Sequence, residues 1–159
     1  MKTISYFKTA ILFIGFSFLL SCSREPDFYL VDGDAKQLSD YHGKWLIVNF
    51  WAEWCPPCLE EIPELNHLYA EQEKHNLAII GVSYDPLKNE ELSELIEKWD
   101  IQYPIMAASP VPILPFKLPK KLPGNYIISP NGEILAKLTG TQDKEKLVNY
   151  LKMLQKDMK

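Results

Sequence analysis

Trp45-Leu46-Ile47-Val48-Asn49-Phe50-Trp51-Ala52-Glu53-Trp54-Cys55-Pro56-Pro57-Cys58 carries the reading of this chain. Its first seven residues are apolar on both faces, the pattern of a strand buried on both sides at the centre of a parallel sheet. From Pro56 to about Lys74, Leu59, Ile62, Leu65, Leu68 and Tyr69 recur at helical spacing among Glu60, Glu61, Glu64, Glu71 and Glu73, which predicts an amphipathic helix. Pro63 lies inside it and is expected to bend it. Two cysteines therefore sit where a buried strand turns into a long helix, Cys55 as the N-cap and Cys58 one turn in.

That placement has a chemical consequence. A thiol with a pKa of about 8.5 is mostly protonated at neutral pH, and the thiolate is the reactive species. A helix N-terminus offers unpaired N–H groups and a partial positive charge that favour the anion. With prolines at 56 and 57, the nearest backbone donor expected for the Cys55 sulfur is the amide of Cys58.

Working outward, Leu77 to Tyr84 predicts a second buried strand. Leu92, Leu95, Ile96 and Trp99 mark a second helix, with Asn89 as its expected N-cap. The segment from Ala107 to Gly124 holds five of the 12 prolines and is expected to be neither helix nor central strand. Tyr126-Ile127-Ile128 and Ile134 to Leu138 flank Ser129-Pro130-Asn131-Gly132, a hairpin turn signal. A last helix runs from about Asp143 to Lys156, with Leu147, Leu151 and Leu154 on one face. Between the linker and the first strand, Tyr29 to Tyr41 reads as turns and short strands. The order predicts an α/β fold with a mixed sheet and helices on both faces.

The stretch from Asn49 to Cys58, continued by Leu59-Glu60-Glu61-Ile62-Pro63-Glu64-Leu65, resembles the thioredoxin superfamily signature. It is similar in particular to the membrane-tethered TlpA/ResA/DsbE type of thiol:disulfide oxidoreductase, and the likeness covers about Leu38 to Lys152. The resemblance implies a thioredoxin fold and a cycle in which Cys55 attacks a substrate disulfide and Cys58 resolves the mixed disulfide. It implies that Glu61, three residues beyond Cys58 and on the same helix face, serves as the base; the competing reading is one more solvated acid in a charged run. Thioredoxins proper carry a buried Asp where this chain has Asn49, and no lysine stands near Gly81, so the usual proton relay is absent. Leu122-Pro123 falls where the superfamily has a cis-proline facing the cysteines, with Pro119 as the alternative, and Gly124-Asn125 stands where a Thr usually follows. Trp54, Pro56, Leu122 and Pro123 are the expected substrate contacts, with the backbone beside the Leu122-Pro123 bond pairing with the substrate chain as an added strand and Trp54 as the rim beside Cys55. The apolar and basic segment with Ile113, Leu114, Phe116 and Leu118 among Lys117, Lys120 and Lys121 reads either as a docking lip or as a rigid loop packed on the core. The implied partners are exported cysteine-containing proteins, such as apocytochrome c, and a membrane electron donor. No cofactor beyond the redox-active Cys55–Cys58 pair is implied.

The 159 residues fit one domain, and 47% hydrophobic with 24% charged residues is an ordinary globular composition. A net charge of -4 without a basic stripe argues against nucleic-acid binding. His42, His67 and His75 follow no ligand spacing, so no metal site is expected. Lys2 and Lys8 flank an apolar stretch from Ala10 to Leu20, too short for a spanning helix and suited to an export signal. Leu19-Leu20-Ser21-Cys22 resembles the bacterial lipoprotein box, which implies a signal peptide over 1–21 and a lipid-anchored linker over 22–28. Residues 29–159 then form the domain, facing the periplasmic side on the inner or the outer membrane. An uncleaved anchor is the alternative. Lipidation of Cys22 would account for the odd third cysteine. Two other classes compete: a peroxidase on the same fold, for which Ala52-Glu53-Trp54 supplies no hydroxyl ahead of Cys55, and a non-catalytic binding module.

Overall fold

The computed structural model describes residues 25–158; the expected signal peptide, Cys22 and the start of the expected linker lie outside them. Two short strands, β1 (Phe28–Tyr29) and β2 (Ala35–Lys36), pair antiparallel, and a 3-10 turn over Leu38–Tyr41 leads to β3 (Trp45–Trp51). There follow α1 (Pro56–Ala70), a 3-10 turn over Gln72–His75, β4 (Leu77–Ser83), α2 (Asn89–Lys98), β5 (Ile105–Met106), β6 (Gly124–Ile128), β7 (Ile134–Thr139) and α3 (Lys144–Asp157). The main sheet has the order β5-β4-β3-β6-β7. β3 pairs parallel with β4 and antiparallel with β6, so the strand that precedes the cysteines is central. All seven of its residues are buried, as its nearly continuous apolar run predicts.

Alternate β3 residues feed two cores. Trp45, Ile47 and Trp51 join Ile62, Leu65 and Leu68 of α1, Leu92 of α2, and Leu147 and Leu151 of α3. Leu46, Val48 and Phe50 join Phe28, Leu30, Met106, Tyr126 and Ile128 on the opposite face. The α/β class and the mixed sheet are as expected, but the helical cover differs: all three described helices lie on one face. The steps β3 to β4 and β4 to β5 run in the same direction, and right-handed crossovers place both connecting helices on the same side. The second face is closed by the N-terminal hairpin and by Leu114 and Phe116 of the proline-rich segment.

Local boundaries shift for identifiable reasons. α1 is continuous through Pro63 but ends at Ala70 rather than near Lys74, and the following turn closes on Asn76 in the left-handed region at φ 48°. The N-cap of α2 is Lys88 and not Asn89, because the Glu91 carboxylate reaches back to accept the Lys88 amide at 3.0 Å. Asp143 caps α3 by accepting from the Lys146 amide at 2.8 Å. β6 begins at Gly124, earlier than Tyr126. A Cβ there would lie 2.7 Å from the Pro119 Cβ and 3.3 Å from the Lys121 carbonyl oxygen, so a strand can start under this loop only at glycine.

Gly124→Ala is therefore expected to destabilise the fold by about 1–3 kcal/mol, since a proline ring and a backbone carbonyl give way less easily than a flexible side chain. Urea unfolding measures it; an unchanged midpoint with an unchanged slope would show that Pro119 yields.

Candidate active site

Cys55 and Cys58 form a disulfide, with their Cα atoms 5.3 Å apart. Cys55 is the N-cap of α1 in extended conformation, and Pro56 and Pro57 occupy the first two helical positions, where no intrahelical N–H is needed. The Cys58 amide donates at 2.9 Å to the Cys55 carbonyl and not to its sulfur. The expectation of one backbone donor on the sulfur thus gives way in the disulfide form, since the tight first turn aims that N–H at the carbonyl. Cys58 is 1% exposed and Cys55 5%.

Trp54 is 61% exposed, packs edge-on against Tyr84 and donates its indole N–H to Asp85 at 2.8 Å. Pro56 is exposed beside it, whereas Trp51 is core. The Leu122-Pro123 bond is cis, as is Ser109-Pro110, while the bond preceding Pro119 is not among the cis peptides. Leu122 is half-buried and Pro123 buried. The Pro123 carbonyl accepts from Gly140, and the two residues after Gly140 reach α1: Thr141 donates to the Pro57 carbonyl at 3.4 Å and the Gln142 amide to Glu61 at 2.8 Å. This loop joins the cis-proline to the start of α1.

The proline-rich segment has a packed side and an exposed side. Leu114 and Phe116 pack on the core, Phe116 stacking on Tyr126 at 4.4 Å, and the Tyr126 hydroxyl donates to the Lys117 carbonyl. Val111, Ile113 and Leu118 face outward. Between this segment and the end of β4 lies a cleft of about 250 Å³, lined in part by Tyr84, Pro86, Met106 and Leu118.

Glu61 is fully buried, so the solvated-acid reading does not hold. Its carboxylate accepts from Asn49 Nδ2 at 2.8 Å on Oε2, and from Asn125 Nδ2 at 2.9 Å and the Gln142 amide at 2.8 Å on Oε1. Asn49 also donates to Asn125 Oδ1 and accepts from the Tyr103 hydroxyl. Burial raises the Glu61 pKa to about 7, against the lowering pull of these three hydrogen bonds. Tyr103 is pushed well above its ordinary value by burial, with the Glu61 charge adding to it. The carboxyl one turn from Cys58 is thus poised to change charge near neutrality, the property a proton acceptor for a buried thiol requires. Asn125 and Tyr103 escaped sequence reading, although a lone amide in each of two apolar strands was a visible signal. Among the described residues no cluster of three or more His, Cys, Asp or Glu side chains is placed to hold a metal ion.

The raised pKa means that the folded state prefers the neutral acid. The cost of Glu61 is absent below about pH 4.5, grows as pH rises towards 7 and is constant above. A shift of this size corresponds to about 3 kcal/mol. Relative to Glu61→Gln, the oxidised wild type should lose about that much stability between pH 4 and pH 8. Denaturant unfolding of both at each pH tests this, and a difference that does not change with pH would place the Glu61 pKa near its ordinary value.

Residues 23–137 match the AhpC/TSA family. The chain is 34% identical over 134 residues to thiol-disulfide oxidoreductase ResA of Geobacillus kaustophilus, covering 83% of this chain and 76% of the relative. Among solved structures it resembles a thioredoxin-family thiol:disulfide interchange protein from Chlorobium tepidum, with a TM-score of 0.66 and 24% identity over 79% of this chain and 89% of the other. It also resembles an exposed lipoprotein thioredoxin from Streptococcus pneumoniae, with a TM-score of 0.65 and 22% identity over 79% and 96%. These two structures support the fold. With a disulfide at the head of α1, a central strand leading into it and the ResA likeness across most of both chains, this chain belongs to the AhpC/TSA family of thioredoxin-fold proteins and is a thiol:disulfide oxidoreductase.

Proposed function

We propose that this enzyme reduces disulfides in exported proteins, apocytochrome c among them, through Cys55, Cys58 and Glu61. The observation that carries the reading is a disulfide at a helix N-terminus with a buried, near-neutral acid one turn further in. In the reduced enzyme the Cys55 thiolate attacks a substrate disulfide; a sulfur–sulfur bond forms between enzyme and substrate, and one substrate sulfur leaves as thiolate and takes up a proton. Cys58 passes its proton to Glu61 and attacks the Cys55 sulfur, expelling the second substrate thiolate. Two electrons have moved to the substrate, and the Cys55–Cys58 disulfide seen in this structure is the product state. A membrane electron donor returns the pair to dithiol.

On this reading Trp54, Pro56, Leu122 and Pro123 form the substrate-docking edge, supported by the exposure of Trp54 and the cis Leu122-Pro123 bond, and Val111 and Leu118 add exposed apolar surface along the cleft beside Tyr84. Cys22, outside the described residues, is proposed as the lipidated anchor, which puts the domain on the extracytoplasmic side of a membrane. Among the described residues no helix is long and apolar enough to cross a membrane. A peroxidase is disfavoured because Ala52-Glu53-Trp54 places no hydroxyl ahead of Cys55.

Cys58→Ser is expected to accumulate a stable mixed disulfide with a substrate protein, and Cys55→Ser to form none, as read by non-reducing electrophoresis. Slow, equal alkylation of both cysteines in the reduced enzyme would refute the assignment of Cys55 as nucleophile. In wild type the rate of mixed-disulfide resolution should rise with pH through about 7 and then level, because only the charged Glu61 accepts a proton. Glu61→Gln should abolish that inflection; an identical profile in the variant removes Glu61 from the mechanism.

A further inference from the structure

Asn49 and Asn125 stand directly opposite each other on β3 and β6, in register, and their side chains lie on the face that carries α1. Across neighbouring strands such a pair is close enough for side-chain contact. Here the contact is a hydrogen bond, and both amides then turn to the same carboxylate. Asn49 gives one N–H to Glu61 Oε2 and the other to Asn125 Oδ1, while its own oxygen accepts from Tyr103. Asn125 gives an N–H to Glu61 Oε1. Each bond fixes which end of each amide faces the acid, because turning either amide over would aim a carbonyl oxygen at a carboxylate.

We propose that the Asn49–Asn125 pair is a positioning device for disulfide exchange, holding the Glu61 carboxyl in one orientation in which only Oε2 keeps a free lone pair for the incoming proton. Oε1 already receives two donors, from Asn125 and the Gln142 amide, and Oε2 receives one. A carboxylate oxygen has room for two. The proton released by Cys58 is thereby directed to Oε2, on the Asn49 side. The inference rests on Glu61 acting as the base.

Side-chain amides suit this task where an acid would not. A carboxylate at position 49 would face Glu61 at hydrogen-bond distance, and the two would share one proton over a wide pH range. An apolar residue would leave the acid with one donor fewer and raise its pKa further. The other titratable groups facing Glu61 are Cys58 on its own helix and Tyr103 on the sheet side, the latter neutral through the working range. From the α3 side it meets the Gln142 backbone. Glu64, on the next turn of α1, is occupied with the Lys144 amide at 3.0 Å, and the Lys144 ammonium with Glu71.

Two readouts on the full domain separate this inference from the reading beneath it. The Glu61 carboxyl carbon is titrated by NMR in ¹³C-labelled wild type and Asn49→Leu, and the pH profile of mixed-disulfide resolution is recorded for both. Loss of one donor should move the NMR midpoint upward by about one pH unit, and the kinetic inflection by the same amount, so that resolution near pH 6 slows about tenfold, and loss of the fixed orientation should lower the high-pH plateau as well. If neither midpoint moves while Glu61→Gln still abolishes the inflection, the amide pair has no positioning role. If the NMR midpoint moves and the kinetic profile does not, Glu61 is not the base and the inference falls with it. Should Asn49→Leu fail to fold, Asn49→Asp retains the size of the side chain; it should split the Glu61 titration into two steps, and a single unshifted step would overturn the proposal.

Discussion

A carboxyl group inside an apolar core must be given donors or be held neutral, and the arrangement around Glu61 does part of each. Three hydrogen bonds pull its pKa down, burial pushes it up, and the balance falls near 7. Each donor comes from a different element: β3 gives Asn49, β6 gives Asn125, and the loop before α3 gives the amide of Gln142. The active-site helix is therefore tied by polar contacts to two central strands and to the approach to the last helix. Gly81 borders the same group, since a Cβ there would lie 2.2 Å from Ile105 Cδ1 and 3.0 Å from the Tyr103 ring whose hydroxyl steadies Asn49.

The apolar frame around this site was legible in the sequence because its signals are local. The run from Trp45 to Trp51 marks β3 to the residue, since a strand buried on both faces is apolar at both ends, with Asn49 its single polar residue. Ser129-Pro130-Asn131-Gly132 marks the hairpin, and the cysteines at the strand-to-helix turn mark the redox site. The polar network was legible only in part. Asn49 could be read as a missing acid but not as a donor, because its partners lie 12, 54 and 76 residues away. Nothing near position 49 says which side chains the fold brings to it. The helical cover was misread for a similar reason: the handedness of two successive crossovers depends on strand order, which local periodicity does not carry.

The open side of the site contrasts with this buried side. Where α1 meets the sheet the contacts are fixed and satisfied, whereas at Trp54 and along Val111, Ile113 and Leu118 large apolar side chains remain exposed. Those outward residues stand on a segment whose inner residues Leu114 and Phe116 help close the second core face. One stretch of chain thus closes the fold with its inner residues while its outer ones stay open to solvent, which restricts how far its prolines can be exchanged.

The Gln142 amide adds a consequence for how such a site varies among relatives. Its bond to Glu61 comes from the path of the chain and not from the identity of residue 142, whose own side chain turns to the Gly140 carbonyl. Almost any residue at that position preserves the contact; proline alone, lacking the N–H, is barred. Exchange of residue 142 for anything but proline is therefore expected to cost at most the side-chain bond to Gly140 while leaving the donor to Glu61 in place.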